Sequence, residues 1–532
     1  MLTHADVMAK TLASHGVEYV FGLPGGEIVA FIDACRRAGI RFLLAGHESS
    51  AALIAQVMGQ ITGVPGVCAA TLGPGATNLV TGVANALLER SPLLAVTAQI
   101  PDGLIRTMTH QRLDLNALFA PITKKSLAVG SEDTEELICK SLTAAAEPRP
   151  GPVHLVLPSD LAVAKCDSHV PSEERATKNR PNASSQPSGR VTEIATKILN
   201  SKQPLLIFGL GITPAAAPIA RGLVETLQAP FLITPKAKGI LPEDHPLFLG
   251  VATGMAIDAN IVETIKAADL IFGIGFDPVE CDRTWFADVD VVSIDSASMS
   301  EGSYHPLEAL GEITSLLTQI IAIIGHAMPW PEDLLRARRQ AIRRSPRVTV
   351  KDVSPLGLLE GLRTVFPKEG VTTCDVGSHK LIMGQFWPCY VPGSFFMSNG
   401  LSGMGYGLPA AIAAQLVYPE RAVLAVVGDG GMLMMLHDLV LIRELELPII
   451  IVVLTDSSLS LIRVGMERRG FPAYGVDFRP PDFAGLANRF GICGEKATTI
   501  AEAKTAVERA LTKRIPLVLD VPVDFREYYD LV

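Results

Sequence analysis

Short apolar runs recur along this chain, each ending in glycine or polar residues and each followed by residues at helical spacing. That alternation admits few folds besides parallel sheets covered by helices, because consecutive parallel strands need a crossover between them. Near the start, Val17 leads into FGLPGG, after which Ile28, Phe31, Ile32 and Cys35 recur at the period of a helix. FLLAGHE, VCAATLGPG and LLAVTAQ repeat the unit. A second series runs through PLLIFGLG, APFLIT, DLIFGIG and DVVSID, and a third through VTTCDVG, AVLAVVGDGG, IIIVVLTDSS and LVLDVPVD. The segment 167–190 is rich in Pro, Ser, Asn and charge, without apolar periodicity, and reads as a linker; 326–355 holds a basic helix and a turn. The expectation is an α/β chain of three doubly wound parallel-sheet domains, at 1–166, 191–325 and 356–532, joined by linkers at 167–190 and 326–355. With 532 residues, 48% of them apolar, the chain is too long for one hydrophobic core and can fill several.

Charge and cysteine usage narrow the function. Charged residues make up 19% of the chain and the net charge is -9, so no basic field exists to draw nucleic acid or anionic lipid, and a small soluble substrate fits better. Arg336, Arg338, Arg339, Arg343, Arg344 and Arg347 form a basic stretch, either a solvated helix face or an anion site. The eight cysteines show no CxxC pair and no Cys/His ligand spacing, as expected of reduced, mostly buried thiols in a cytoplasmic protein. The first residues lack the basic start and apolar run of a secretory signal, and no apolar stretch is long enough to span a bilayer, so no membrane partner is expected.

In open parallel sheets, ligands bind beyond the carboxyl ends of the strands. Gly428-Asp429-Gly430-Gly431 follows AVLAVV, and Thr455-Asp456-Ser457-Ser458 follows PIIIVVL, so both carboxylates should emerge at one sheet edge. Glycines let backbone N–H groups approach a phosphate, and the following helix directs its positive end toward it. Two carboxylates, a backbone carbonyl and phosphate oxygens would complete the octahedral oxygen shell that Mg2+ prefers. A glycine turn with a helix-capping aspartate is the alternative for GDGG alone. Glu48 lies just beyond the FLL strand at the start of a helix with the apolar stripe Leu53, Val57 and Ile61. There it is either an acid favoured by the helix dipole or a functional carboxylate.

The paired elements resemble the GDG...NN signature of thiamine-diphosphate enzymes. That resemblance implies that Mg2+ and the cofactor's diphosphate are bracketed here. Asp429 and Asp456 would be side-chain ligands and Ser458 a carbonyl ligand, with Gly430 and Gly431 beside the phosphates. Thr455-Asp456 stands where the family usually has Asn-Asn, which adds negative charge. DVGSH matches the segment that meets the diphosphate, implying roles for Gly377, Ser378 and His379. SNGLSGMGYGLPAAIAAQL resembles the stretch that supports a bent cofactor, with Met404, an adaptable apolar residue, wedged under the rings and the backbone of Ser402 at the aminopyrimidine. Glu48 is implied to hydrogen-bond the aminopyrimidine and help it accept the proton of the thiazolium carbon. Burial disfavours the ionised form of a carboxyl, which suits such a group to share a proton with a weak ring base. His47 beside it reads as structural.

Over nearly its whole length the chain is similar to the acetolactate synthases, through FGLPGGEI, TLGPGATNLVTGVANALLERSPLLAVTAQIP and LVLDVPVDF. The stretch from Thr109-His110-Gln111 to Lys124, and GFDPVECD at 275–282, resemble the catabolic branch. The flavin-binding branch would carry an arginine after paired aspartates, so FAD is not expected. Leu459, Leu461 and Ile462 follow the metal motif where simple decarboxylases carry a glutamate proton donor, and no His-His pair occurs. The implied activity is decarboxylation of pyruvate or a related 2-oxo acid and carboligation to a second one, giving acetolactate. It would take place in a homodimer or homotetramer whose cofactors each lie between two chains. Gln99, His110, Gln111 and Lys124 are candidates for the acceptor pocket, a surface lysine being the alternative for Lys124. MERRGFPAYGVDF departs from the expected pattern. That leaves open another thiamine-diphosphate carboligase, or a decarboxylase of a larger 2-oxo acid, and Arg463, Arg468 or Arg469 could select an acidic substrate, solvated helix charges being the alternative. A homologue that had lost activity would have no use for Glu48, Asp429 and Asp456 together.

Overall fold

The structure, a computed structural model, describes residues 2–130, 133–166, 188–252, 259–281, 288–302, 304–325, 329–343 and 353–531. Most of the expected 167–190 linker, much of 326–355 including Arg344 and Arg347, and Asp282 of GFDPVECD lie outside the described residues. Three six-stranded sheets account for the alternating pattern, and every strand pairing in them is parallel. The first contains β1 (Tyr19–Gly22), β2 (Arg41–Leu44), β3 (Gly66–Ala70), β4 (Leu93–Gln99), β5 (Lys125–Ala128) and β6 (Pro152–Pro158), in the order β2-β1-β3-β4-β6-β5. The second contains β7 (Pro204–Phe208), β8 (Phe231–Ile233), β9 (Phe248–Val251), β10 (Leu270–Ile274), β11 (Asp290–Asp295) and β12 (Leu307–Leu310), in the order β12-β11-β10-β7-β8-β9. The third contains β13 (Val371–Cys374), β14 (Phe395–Met397), β15 (Val423–Gly428), β16 (Ile449–Thr455), β17 (Cys493–Lys496) and β18 (Leu517–Pro522), in the order β14-β13-β15-β16-β18-β17.

The first and third sheets therefore share one topology, and each reverses its direction of winding between its first and third strands. A doubly wound sheet opens its ligand crevice at such a reversal. The central strands are buried on both faces, which is why they read as unbroken apolar runs: β4, β6, β7 and β10 are buried from end to end.

By compactness the chain forms two units. One comprises residues 1–182, 400–420 and 433–447; the other comprises 183–399, 421–432 and 448–532. Within the first unit, the Glu48–Thr62 helix packs on the Pro74–Leu88 helix, on β3 and on the Gly407–Val417 helix. The expected stripe of Leu53, Val57 and Ile61 understates this burial, because nearly every residue from Ser50 to Gly59 is enclosed. Small side chains make that possible: Ala51, Ala52 and Ala55 on one helix and Ala410, Ala411, Ala413 and Ala414 on the other are wholly buried. Among the described residues no helix is long and apolar enough to cross a membrane, and the eight cysteines are free thiols.

Candidate active site

The second unit holds the two aspartates. β15 and β16 are neighbours with Gly428 opposite Leu454, so the strand ends deliver Asp429 and Asp456 side by side. One oxygen of Asp429, Oδ2, accepts the backbone N–H groups of Asp456 (3.2 Å) and Ser457 (2.8 Å), while Oδ1 accepts that of Gly430 (2.8 Å). Asp456 Oδ1 accepts from Ser458 N–H (3.0 Å) and Oδ2 from the Ser460 hydroxyl (2.7 Å). Burial pushes the Asp429 carboxyl above the ordinary carboxylate range against the pull of those backbone donors. It pushes Asp456 up to about 7, with Asp429 adding repulsion. Thr455 donates to Asp520 Oδ1 at 2.6 Å and fixes the end of β16.

Gly431 leaves no room for a side chain, since a Cβ there would come within 1.9 Å of Asp375 Oδ2. Asp375 follows β13, and the helix Ser378–Phe386 starts three residues later. The His379 ring lies against Gly428 and hydrogen-bonds the Asp375 backbone, while burial pulls its pKa down to about 4. Its Nε2 and the Ser378 hydroxyl are buried without a hydrogen-bond partner. The segments after β13 and β15 thus converge at the reversal of the third sheet, where a ligand crevice is expected.

The first unit holds Glu48, Ser402, Met404 and the four candidate substrate residues. Glu48 is buried and opens its helix, with His47 as N-cap accepting from Ser49 N–H. Asn78 donates to Glu48 Oε2 at 2.9 Å, and Oε1 faces the Gly75 turn. Gln111 packs on the adjoining Gly73 turn, which brings it near the Glu48 end of the unit. Gln99 is occupied at both ends of its amide, donating to Leu113 O and accepting from Ile100 N–H, so it fixes the loop that carries His110 and Gln111. His110 is exposed. Lys124 stands apart from these, its ammonium donating to the carbonyl of Glu147, the C-cap of the Thr134–Ala146 helix. Met404 is half-buried and Ser402 exposed.

Three residues of these segments, Gln111 (φ 55°), Ser402 (φ 55°) and Ser457 (φ 64°), hold left-handed backbone that non-glycine residues seldom adopt. Such conformations cluster at functional sites. Arg463 is bound to Asp477 (2.7 Å) and Glu467 and lies over the Phe525 ring, and Arg468 donates to Tyr529 O. Two of the three arginines that suggested an acidic substrate are thus engaged in holding the fold.

Comparison with known proteins assigns this architecture. The N-terminal TPP binding domain, central domain and C-terminal TPP binding domain of thiamine pyrophosphate enzymes match residues 2–118, 191–320 and 375–521. A probable acetolactate synthase large subunit from Methanocaldococcus jannaschii is 30% identical, the match covering 99% of this chain and 93% of the relative. This chain belongs to the thiamine pyrophosphate enzyme family. The large subunit of acetolactate synthase isozyme 2 from Escherichia coli is 31% identical over 98% of this chain and 95% of the relative. A catabolic acetolactate synthase from Raoultella terrigena is 29% identical over 98% and 95%. These near-equal identities do not separate the branches. As a member of the family the chain is a thiamine-diphosphate-dependent enzyme. Three polar residues were missed in the sequence. Asn78 lies in the quoted TLGPGATNLV but thirty residues from Glu48. Ser50 and Asp438, joined at 2.8 Å, are separated by 388 positions with no motif linking them.

Proposed function

We propose that this enzyme decarboxylates pyruvate or a close relative and joins the remaining fragment to a second 2-oxo acid, giving acetolactate. The observation that carries this reading is the hydrogen-bonded pair Asp429 and Asp456 at adjacent strand ends, in a chain similar to acetolactate synthases over almost all its length. Asp429, Asp456 and the Ser458 carbonyl would hold Mg2+. This is an all-oxygen set suited to a hard cation, which would also replace the proton that burial favours on Asp456. His379 Nε2 and Ser378 Oγ, the buried atoms without partners, fit a bound diphosphate beside Gly377, Gly430 and Gly431. Because the His379 ring already bonds the Asp375 backbone, Nε2 donates to a phosphate only in the doubly protonated ring, so binding there would draw a proton in.

Bound in this way, thiamine diphosphate supplies the electron sink that lets a 2-oxo acid lose its carboxylate. Glu48, oriented by Asn78, would hold and move a proton at the aminopyrimidine. Met404 and the Ser402 backbone would support the rings, and His110 and Gln111 would face the acceptor. The active unit is a homo-oligomer with each cofactor between two chains, and the three sheets serve as pyrimidine-binding, central and diphosphate-binding domains. Engagement of Arg463 and Arg468 in structural contacts favours a small substrate over an acidic one. The test is incubation of the purified protein with thiamine diphosphate, Mg2+ and a panel of 2-oxo acids, with products identified by mass spectrometry. Pyruvate alone should give acetolactate and carbon dioxide; acetaldehyde as the main product would refute carboligation.

A further inference from the structure

A second polar cluster lies in the first unit, on the side of the Glu48–Thr62 helix away from Glu48. Residues two apart on a helix point about 200° from each other, so Ser50 faces away from Glu48. Its hydroxyl is 2.8 Å from Asp438 Oδ2, 3.0 Å from His437 Nε2 and 3.3 Å from the Met435 sulfur. Ser50 and Asp438 have no solvent exposure at all, and Asp438 Oδ1 makes no hydrogen bond but lies 3.4 Å from His437 Nε2. The hydroxyl has one proton to give, so with Asp438 ionised it donates to Oδ2 and accepts from His437. His437 touches the other end of the same turn: a Cβ on Gly46 would come within 2.4 to 2.6 Å of three atoms of its side chain. Its ring also lies 6.1 Å from that of His47. The first turn is therefore gripped before Glu48 by His437, after it by Asp438 through Ser50, and at the carboxylate by Asn78.

A buried carboxylate whose polar contacts are one hydroxyl and, at 3.4 Å, the His437 ring is a poor stabiliser, since desolvation outweighs so few partners. The place of Asp438 at the start of a short helix, Asp438–Glu444, does not account for its reaching across to Ser50. We propose that Asp438, acting through Ser50 and together with His437, is a positioning residue that sets the rotation of the first turn of the Glu48 helix and so the direction of the Glu48 carboxylate. The proposal rests on the reading of Glu48 as the proton-handling group.

Hydrogen–deuterium exchange at the thiazolium carbon of bound thiamine diphosphate reads this without any choice of substrate. Glu48→Gln serves as the reference, beside Ser50→Ala, Asp438→Ala, Asp438→Asn and the Ser50→Ala/Asp438→Ala double variant. Misplacement by about 1 Å costs about a hundredfold in rate, so Ser50→Ala and Asp438→Ala should each slow exchange by about tenfold to a hundredfold. Cofactor affinity by calorimetry should stay within about twofold. The double variant should be no slower than the slower single, because both break one link. Asp438→Asn keeps an acceptor for Ser50 and should restore exchange to within about threefold of the native rate. If Asp438→Ala does not fold, Ser50→Ala against Asp438→Asn carries the comparison. Native exchange in Ser50→Ala, multiplicative losses in the double variant, or Asp438→Asn as slow as Asp438→Ala would each overturn the positioning role while leaving Glu48 in place. Native exchange in Glu48→Gln would instead overturn the reading of Glu48, and the proposal with it.

Discussion

Replacing Asp438 by asparagine should change how stability depends on pH, by an amount that follows from its burial. Desolvation raises the Asp438 carboxyl from 3.8 to about 7, against the pull of the Ser50 hydrogen bond. Burial and then His47 pull the neighbouring His437 below the ordinary imidazole value, which disfavours a counter-charge beside the carboxyl. Between pH 4 and 7 the folded chain keeps a proton that the unfolded chain has released. The contribution of this group is fully present below pH 3.8 and is lost as pH rises through 7, where about 4 kcal/mol is gone. Asparagine does not titrate, so its own hydrogen-bonding offset is constant and only the slope matters. Urea unfolding of both proteins should show the variant gaining about 2–3 kcal/mol on the native enzyme between pH 5 and pH 8. A difference that stays flat across that range would mean that Asp438 is ionised in the folded state, and the burial argument would fail.

Glu48→Gln should leave the fold and cofactor affinity nearly intact while slowing proton exchange at the thiazolium carbon by about two to four orders of magnitude; unchanged exchange would remove Glu48 from the proton transfer. Asp429→Ala should abolish Mg2+-dependent cofactor binding in calorimetric titration, because it would remove the proposed Mg2+ ligand and free three backbone donors at once. A mere helix cap would cost only about 0.5–2 kcal/mol of stability and leave titration normal. Mixing inactive Glu48→Gln with inactive Asp429→Ala protein after reversible dissociation should restore part of the activity, since a mixed dimer assembles one site with both native groups. A fully active monomer in sedimentation would count against that arrangement.

How much of this was written in the sequence depends on burial. The interior strands announce themselves: β3, β4, β7, β10, β15 and β16 are buried along their apolar runs, and each appears in the alternating pattern. Edge strands other than β2, which reads as FLLAGHE, do not. β5, β9, β12, β14 and β17 have three or four residues each, and β5 and β17 carry half-exposed polar positions that no apolar run can flag. β6 was hidden differently, since PVHLVLP is bracketed by prolines and interrupted by His154, which is buried between Thr97 and Ser126. Strand-end residues such as Asp429, Asp456 and Glu48 were legible because the sheet rule says where to look. Ser50 and Asp438 were not, because their meeting depends on how two helices pack and no local spacing encodes that. The basic stretch was legible in part, as the Glu332–Arg343 helix.

The first compact unit is assembled from three separated stretches of chain, ending at residue 447. During synthesis, the Glu48–Thr62 helix emerges long before the Gly407–Val417 helix that covers it. At about 5–20 residues per second the wait lasts tens of seconds. Over that interval Ala51, Ala55 and their neighbours must be shielded by something other than their final partner. The nascent amino-terminal sheet is thus exposed to capture by chaperones, or by a sister chain on the same message. Folding of this unit is tied to translation through residue 447, and a fragment ending after the first sheet would leave its central helix half-clothed.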